Sequence, residues 1–310
     1  MNIIKNRYLF FGISLLVIIP GIIALLLWHL PLGIDFTGGS LLEVKFASGK
    51  PLSIPQVQSM YSDFSKSGPD ISNPVIQPLG TDSLSIRSKV MTDATKGVMV
   101  AAMQKLSGTD VTVLHFTQVS AAVGKEVATR AAGAVALAAV VILLYITYAF
   151  RGVQHAFRYG TAAIIAMLHD VLVVVGVEAI LGHFIGWEAD SLFLTALLTV
   201  IGFSVHDTIV VFDRIRENSN RYKKISYETL VNHSIVQTLD RSINTQLTVM
   251  ITLLALTLFG GLSIRHFVVI LLVGVFSGTY SSIFNAAPIL VVWENKEWRN
   301  WFKRKPVLAE

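Results

Sequence analysis

Six apolar runs dominate the pattern of this chain: Tyr8–Leu30, Ala131–Phe150, Tyr159–Leu181, Leu192–Phe212, Ser242–Phe259 and Phe267–Val292. Each lies near the roughly 17–25 residues that cross a bilayer as a helix. Lys5 and Arg7 precede the first run like the n-region of a signal peptide. The run is long enough to span, and no small-residue cleavage pattern follows Leu32, so it is read as an uncleaved anchor. Between the first two runs the periodicity changes. Leu41–Ala47 alternates as a strand, and Ile54–Ser65 reads as a helix after Pro55. Val75–Leu79 and Ser83–Ser88 are strands parted by Gly80-Thr81-Asp82. Thr92–Leu106 is a helix with a Thr/Asp start, and Val111–Val119 is a strand. The order β-α-β-β-α-β is that of a ferredoxin-like split βαβ unit. The predicted fold is an α-helical polytopic membrane protein. Its six transmembrane helices, one plus five, enclose one small α+β extracytoplasmic domain between the first and second. The predicted divisions are an anchor helix at 1–32, the α+β domain at 33–128, a five-helix bundle at 129–295 with a cytoplasmic loop at 213–241, and a basic tail at 296–310.

Composition agrees with the pattern. The 310 residues are 53% hydrophobic and only 15% charged, with a mean hydropathy of +0.62, whereas soluble domains carry about 25% charged residues. With no cysteine, disulfides and thiolate metal sites are excluded. The net charge of +5 does not argue for nucleic acid, because the cations collect in short loops on one predicted side of the membrane. Lys5 and Arg7, Arg151 and Arg158, the group Arg214–Lys224, and Lys296–Lys305 all fall there, while Gly182–Ser191 carries Glu188 and Asp190 but no cation. By the positive-inside rule both termini are cytoplasmic and the small domain is extracytoplasmic, in a multi-pass membrane protein. Trp28, Trp187 and Trp293 at run ends fit interfacial anchors in contact with membrane lipids.

Against this background the polar residues inside the runs stand out. Asp207, beside His206, interrupts the fourth run, and a charge at that depth costs roughly 2.5–3.5 kcal/mol on insertion scales. Arg241 follows 34 positions later, at the head of the fifth run. The two are expected to face each other across adjacent helices as a proton relay, with Asp207 ionised when Arg241 is near and protonated when it moves away. Ser204, Asp207, Thr208 and Val211 share one helical face, as do Arg241, Thr245, Thr248 and Thr252. So do Gly274, Gly278, Ser281, Ser282 and Asn285 in the sixth run, where Gly274-x-x-x-Gly278 permits close helix approach. A static Asp–Arg pair locking the bundle is the competing reading. His169-Asp170 in the third run reads as a polar contact between helices or as a directly functional pair; alone it is not a metal signature. Gly33-Ile34-Asp35-Phe36-Thr37-Gly38-Gly39 follows the first run as a tight turn, or as a hinge built on Asp35, Gly38 and Gly39. The basic segment after Phe212 reads as a solvated loop or as a docking site.

These motifs resemble the SecD/SecF protein-export family of the resistance–nodulation–division (RND) superfamily. The resemblance rests on GIDFTGG at 33–39, on His169-Asp170 and on GFSVHDTIVVFDRIREN at 202–218. It extends to Arg241-Ser242 and to VFSGTYSSI at 275–283, and so to nearly the whole chain. It implies a subunit of a bacterial-type plasma membrane, driven by the proton gradient, with no bound cofactor and no enzymatic activity. It also implies work with a SecD partner, or with copies of itself, to promote SecYEG-dependent translocation of SecA-dependent preproteins. The family's acid and arginine map onto Asp207 and Arg241. Relatives often carry Asn where this chain has His206, which either titrates within the relay or only hydrogen-bonds. Na⁺ in place of H⁺ stays open. The alternatives are an RND-type exporter of small molecules or lipids, a hydrolase built on His169-Asp170, and a passive scaffold. The chain has half the helices of the exporters and none of the hydrolase motifs H-E-x-x-H or G-x-S-x-G.

Overall fold

The computed structural model describes residues 2–153 and 155–297; the remainder of the predicted basic tail lies outside them. Six helices among the described residues are long and apolar enough to cross a membrane. The chain divides into two compact units, one formed by Leu30–Ala134 with Leu181–Leu194, the other by Met1–His29, Val135–Ile180 and Thr195 onward.

Helix α1 is Arg7–Trp28. The small unit follows with β1 (Gly39–Phe46), α2 (Ile54–Ser65), β2 (Val75–Leu79), β3 (Ser83–Ser88), α3 (Asp93–Ser107) and β4 (Val111–Val119). Local signals set these elements. Ser53 and Gln56 form a capping box at the start of α2, with Pro55 in its first turn. Thr92 accepts from Thr95 N at the start of α3, and Gly108, at φ +67°, ends it in the left-handed conformation. The sheet order is β2-β3-β1-β4, antiparallel throughout, with a register shift in the β1–β4 pair at Glu43/Val44. This is the split βαβ arrangement expected from the sequence. The alternating positions Leu42, Val44 and Phe46 of β1 pack with Ile86, Val57, Tyr61, Met99 and Met103 into one core.

The Tyr61 hydroxyl is buried there without a partner among the described residues, and burial pushes its proton affinity up. A buried, unpaired hydroxyl costs about 1–3 kcal/mol. Tyr61→Phe is therefore expected to stabilise this unit by about 1 kcal/mol. Slower hydrogen exchange of the β1 and β3 amides in the full chain would register the gain; faster exchange would refute it. The residues 181–194 join this unit through Gly33 N donating to Ala189 O (2.7 Å) and Ala189 N to Pro31 O (2.8 Å), and through an ion pair of Arg87 with Glu188.

The helical unit contains α1, most of α4 (Ala121–Ala149), α5 (Ala156–Ile185), α6 (Ser191–Arg221) and α7 (Tyr227–Phe259). It closes with α8 (Leu262–Ser281), which passes through a π-helical turn at Ser282–Ala286 into α9 (Ala287–Glu294). The segment 213–241, expected as a loop, is mostly helix: α6 runs to Arg221 and α7 starts at Tyr227. Apolar length alone missed these ends because they are polar. Ser226 caps α7 by accepting from Thr229 N, and Glu228 suits the first turn. Ile146, Phe150, Tyr159, Phe212, Ile215, Val231 and Leu290 share the core at this end, with Phe150 stacked on Tyr159 at 5.4 Å and Phe212 edge-on to Tyr159 at 5.2 Å. The chain start is tied down by Asn232 Oδ1, which accepts from Ile3 N at 2.8 Å, and by Arg7, which bridges Glu228 and Glu297.

Candidate functional site

Asp207 lies on α6, 3% exposed. Its partner is Gln246 on α7, whose Nε2 donates to Asp207 Oδ2 at 2.5 Å. Arg241 is exposed and makes no ion pair among the described residues. The expected Asp207–Arg241 pairing is thus absent here, for a geometric reason. Arg241 and Gln246 are five residues apart, about 140° around a helix of 3.6 residues per turn, so they cannot face the same neighbour. The stripe expected to face Asp207 is on the outside: Thr245, Thr248 and Thr252 are exposed, and Thr248 and Thr252 bond back to Asn244 O and Thr248 O. The buried face of α7 is Leu230, Val231, Ser234, Ile235, Thr238, Ser242 and Gln246. Gln246 Oε1 and Ser242 Oγ, one turn apart, are buried without a hydrogen-bond partner among the described residues. His206, next to Asp207 in the chain, is exposed.

Ser204 and Thr208 face the core but bond elsewhere. Thr208 Oγ1 meets Ser282 Oγ at 2.9 Å and donates to Ser204 O. Ser204 Oγ donates to Asp170 Oδ2 at 2.5 Å. Asp170, fully buried on α5, is the second acid of the bundle. It also accepts from Ser281 Oγ (2.6 Å), from Ser277 Oγ (2.6 Å) and from the neighbouring His169 Nδ1 (3.0 Å). One carboxylate thereby joins α5, α6 and α8.

Close approach makes these bonds possible. A Cβ at Gly274 would sit 2.0 Å from Val200 Cγ2, and one at Gly278 would sit 3.2 Å from the Ser204 backbone, so α8 lies directly on α6. The π-turn that follows aims Asn285 at α1, where its Oδ1 accepts from Ser14 Oγ at 3.0 Å. A further buried pair, Glu178 Oε2 with His266 Nε2 at 2.8 Å, links α5 to α8. No group of metal-ligating side chains occurs among the described residues.

In the small unit, Asp35 Oδ2 accepts from Ser191 N at 2.9 Å, at the first residue of α6. Gly38 (φ +78°) and Gly39 (φ +135°) adopt backbone conformations that only glycine takes readily. A Cβ on Gly38 would meet Ala121 Cα at 2.7 Å, and one on Gly39 would meet Ser88 O at 2.7 Å. The Gly-Gly pair packs against Ala121 at the start of α4 and Ser88 at the end of β3.

Sequence reasoning found Asp207 and the His169-Asp170 pair but passed over Gln246, Ser277, Glu178 and His266. The available signal for Gln246 was its place at i+4 from Ser242 and i+8 from Thr238. Chemically, the bundle holds three buried acids among the described residues, Asp207, Asp170 and Glu178, the last with His266 as its partner. Asp207 has an amide as its partner, and Asp170 has three hydroxyls and an imidazole.

Residues 99–296 match the family described as Protein export membrane protein SecD/SecF, C-terminal, and residues 29–49 match the SecD/SecF GG Motif. A protein translocase subunit SecF from Anaerolinea thermophila is 56% identical, with all of both chains covered. One from Thermobaculum terrenum is 51% identical, covering 98% of this chain and 97% of its own. Among solved structures, SecDF from Thermus, titled a translocon-associated membrane protein, superposes with a TM-score of 0.81 at 30% identity. It covers 95% of this chain, which spans 39% of the SecDF chain.

Proposed function

This chain belongs to the SecD/SecF family of protein-export membrane proteins and serves Sec protein translocation as an auxiliary component; we propose that the proton-motive force drives it, with Asp207 as the residue that gains and loses the proton. The single observation behind this reading is the environment of Asp207. A carboxylate 3% exposed inside a membrane-length helix, paired with a neutral amide and with no cation on it among the described residues, is stabilised in neither protonation state by a fixed counter-charge. Such groups mark ion pathways. Arg241, exposed and about 140° around α7 from Gln246, supports a second element of the reading. It faces outward, where a SecD partner would supply the other half of the helical bundle, and a rotation or tilt of α7 would change its distance from Asp207. Protonation and helix movement then become linked equilibria. We place both termini on the cytoplasmic side and the small unit outside, by the cation distribution. SecYEG and SecA-dependent preproteins are the partners this role requires. The cycle needs no nucleotide or bound cofactor, since the potential itself supplies about 2.3 kcal/mol per charge per 100 mV.

The test is export of a preprotein into membrane vesicles containing this chain with SecD and SecYEG. We expect the stimulation due to the chain to vanish when a protonophore collapses the gradient. Stimulation that survives collapse of both proton and sodium gradients would leave only a scaffold role.

A further inference from the structure

We propose that the His169–Asp170 pair is a second proton-binding site of the bundle, in which His169 Nε2 takes the proton. The carboxylate of Asp170 has four donors on its two oxygens: Ser277 Oγ and His169 Nδ1 on Oδ1, Ser204 Oγ and Ser281 Oγ on Oδ2. Four donors fill the acceptor sites of an ionised carboxylate. The imidazole must then carry its hydrogen on Nδ1, which leaves Nε2 as a bare lone pair. That atom is buried and has no partner among the described residues, on a residue 8% exposed. The residue lines a cavity of about 750 Å³ whose wall includes Ser14, Val17, Val173, Met250 and Tyr280.

Among the described residues nothing else balances the acid. From α6 comes Ser204; Asp207, three residues on, is bonded to Gln246. From α8 come Ser277, Ser281 and the ring of Tyr280, 6.1 Å from the imidazole, whose hydroxyl is spent on Phe10 O. From α1 comes Ser14, bonded to Asn285, and α7 contributes Leu247, Met250, Ile251 and Leu254. The titratable groups facing His169 are thus Asp170 and Tyr280. With His169 neutral, the site holds one uncompensated negative charge in an apolar setting. A hydronium ion that delivers its proton to Nε2, and leaves as water, turns the site into an imidazolium–carboxylate pair of zero net charge. None of the four hydrogen bonds breaks.

The role of this site in transport rests on the proton-driven reading above; its ability to bind a proton does not. The full chain, labelled with ¹⁵N histidine and held in lipid nanodiscs, gives the test, with His169→Gln identifying the His169 signals. As the pH is lowered across the range in which the chain stays folded, the ring is expected to pass from a single Nδ1–H to N–H on both nitrogens. In Asp170→Asn this change should leave that range. A ring that keeps one N–H throughout overturns the proposal, and so does an Asp170→Asn ring that behaves as the native one. If Asp170→Asn does not fold, the native spectrum decides alone, with Ser277→Ala expected to keep the transition. Export by His169→Gln should show a pH profile displaced by about one unit, tenfold in proton concentration; an undisplaced profile removes the site from the transport cycle. If His169 titrates while export ignores the gradient, the function proposed above fails and this site stands. If Asp207→Asn abolishes coupling while His169 stays silent, the reverse holds.

Discussion

Asp207→Asn is expected to remove the gradient-driven part of export while leaving the chain folded and assembled. Asparagine has the same shape, and its Oδ1 can accept from Gln246 Nε2 as Asp207 Oδ2 does at 2.5 Å. Interhelical hydrogen bonds in membranes average about 0.6 kcal/mol, so even a weakened one leaves the bundle intact. The functional loss should be far larger. One charge moving through about 100 mV gains about 2.3 kcal/mol, a bias of about 50-fold in the coupled step. A side chain that cannot titrate forfeits all of it. The measurement is the preprotein export rate with and without an imposed gradient, for both variants at equal membrane abundance. A gradient response equal to that of the native chain would rule out Asp207 as the carrier. Gln246→Leu, which keeps the acid and removes its amide, should weaken the response without abolishing it. Full response in Arg241→Met would take Arg241 out of the cycle.

The way Asp207 was found shows what the sequence could and could not reveal. A lone acid in an apolar run is visible because one charge breaks a pattern. Its partner is not. Arg241, Thr245, Thr248 and Thr252 form one stripe, and Thr238, Ser242 and Gln246 form another, on the same helix. Both have helical period, and which one faces α6 depends on how α7 packs, which its own residues do not encode. The Asp170 cage was hidden for a related reason. Its serines lie 34, 107 and 111 positions away from it, and a serine in an apolar run looks like a packing residue until a carboxylate is opposite. The small unit was more legible. Its strands are bounded by turn residues such as Gly80-Thr81-Asp82, and its helices by caps at Ser53 and Thr92. These are local signals that do not wait on tertiary contacts. The polar ends of α6 and α7 escaped notice because apolar length measures the part of a helix suited to the membrane, not the whole helix.

Gly176→Val is expected to cost the helical unit about 3 kcal/mol, the upper part of the range for overpacking. Gly21 on α1 and Gly176 on α5 touch backbone to backbone. A Cβ built on Gly176 falls 2.6 Å from Gly21 Cα, and one built on Gly21 falls 2.9 Å from Gly176 Cα. No rotamer relieves such a contact, because the obstructing atoms are main chain; one helix must move away from the other. Gly21→Ala should act through the same contact, so the double variant should cost less than the two single costs combined. Gly202 on α6 supplies the control. It is exposed, and a Cβ there meets nothing within 4 Å, so Gly202→Val isolates the intrinsic cost or gain of valine in a helix, below about 1 kcal/mol. The denaturation midpoint of each variant in mild detergent makes the comparison, and equal midpoints for Gly176→Val and Gly202→Val would refute the close-contact argument. The consequence reaches beyond stability. α1 also carries Ser14 and Val17, and α5 carries His169; all three line the cavity below this contact. Wedging the two helices apart should therefore let solvent reach the His169–Asp170 pair. Gly21→Ala, the milder wedge, should show faster deuterium exchange at His169 Nδ1–H than the native chain at a temperature where both remain folded.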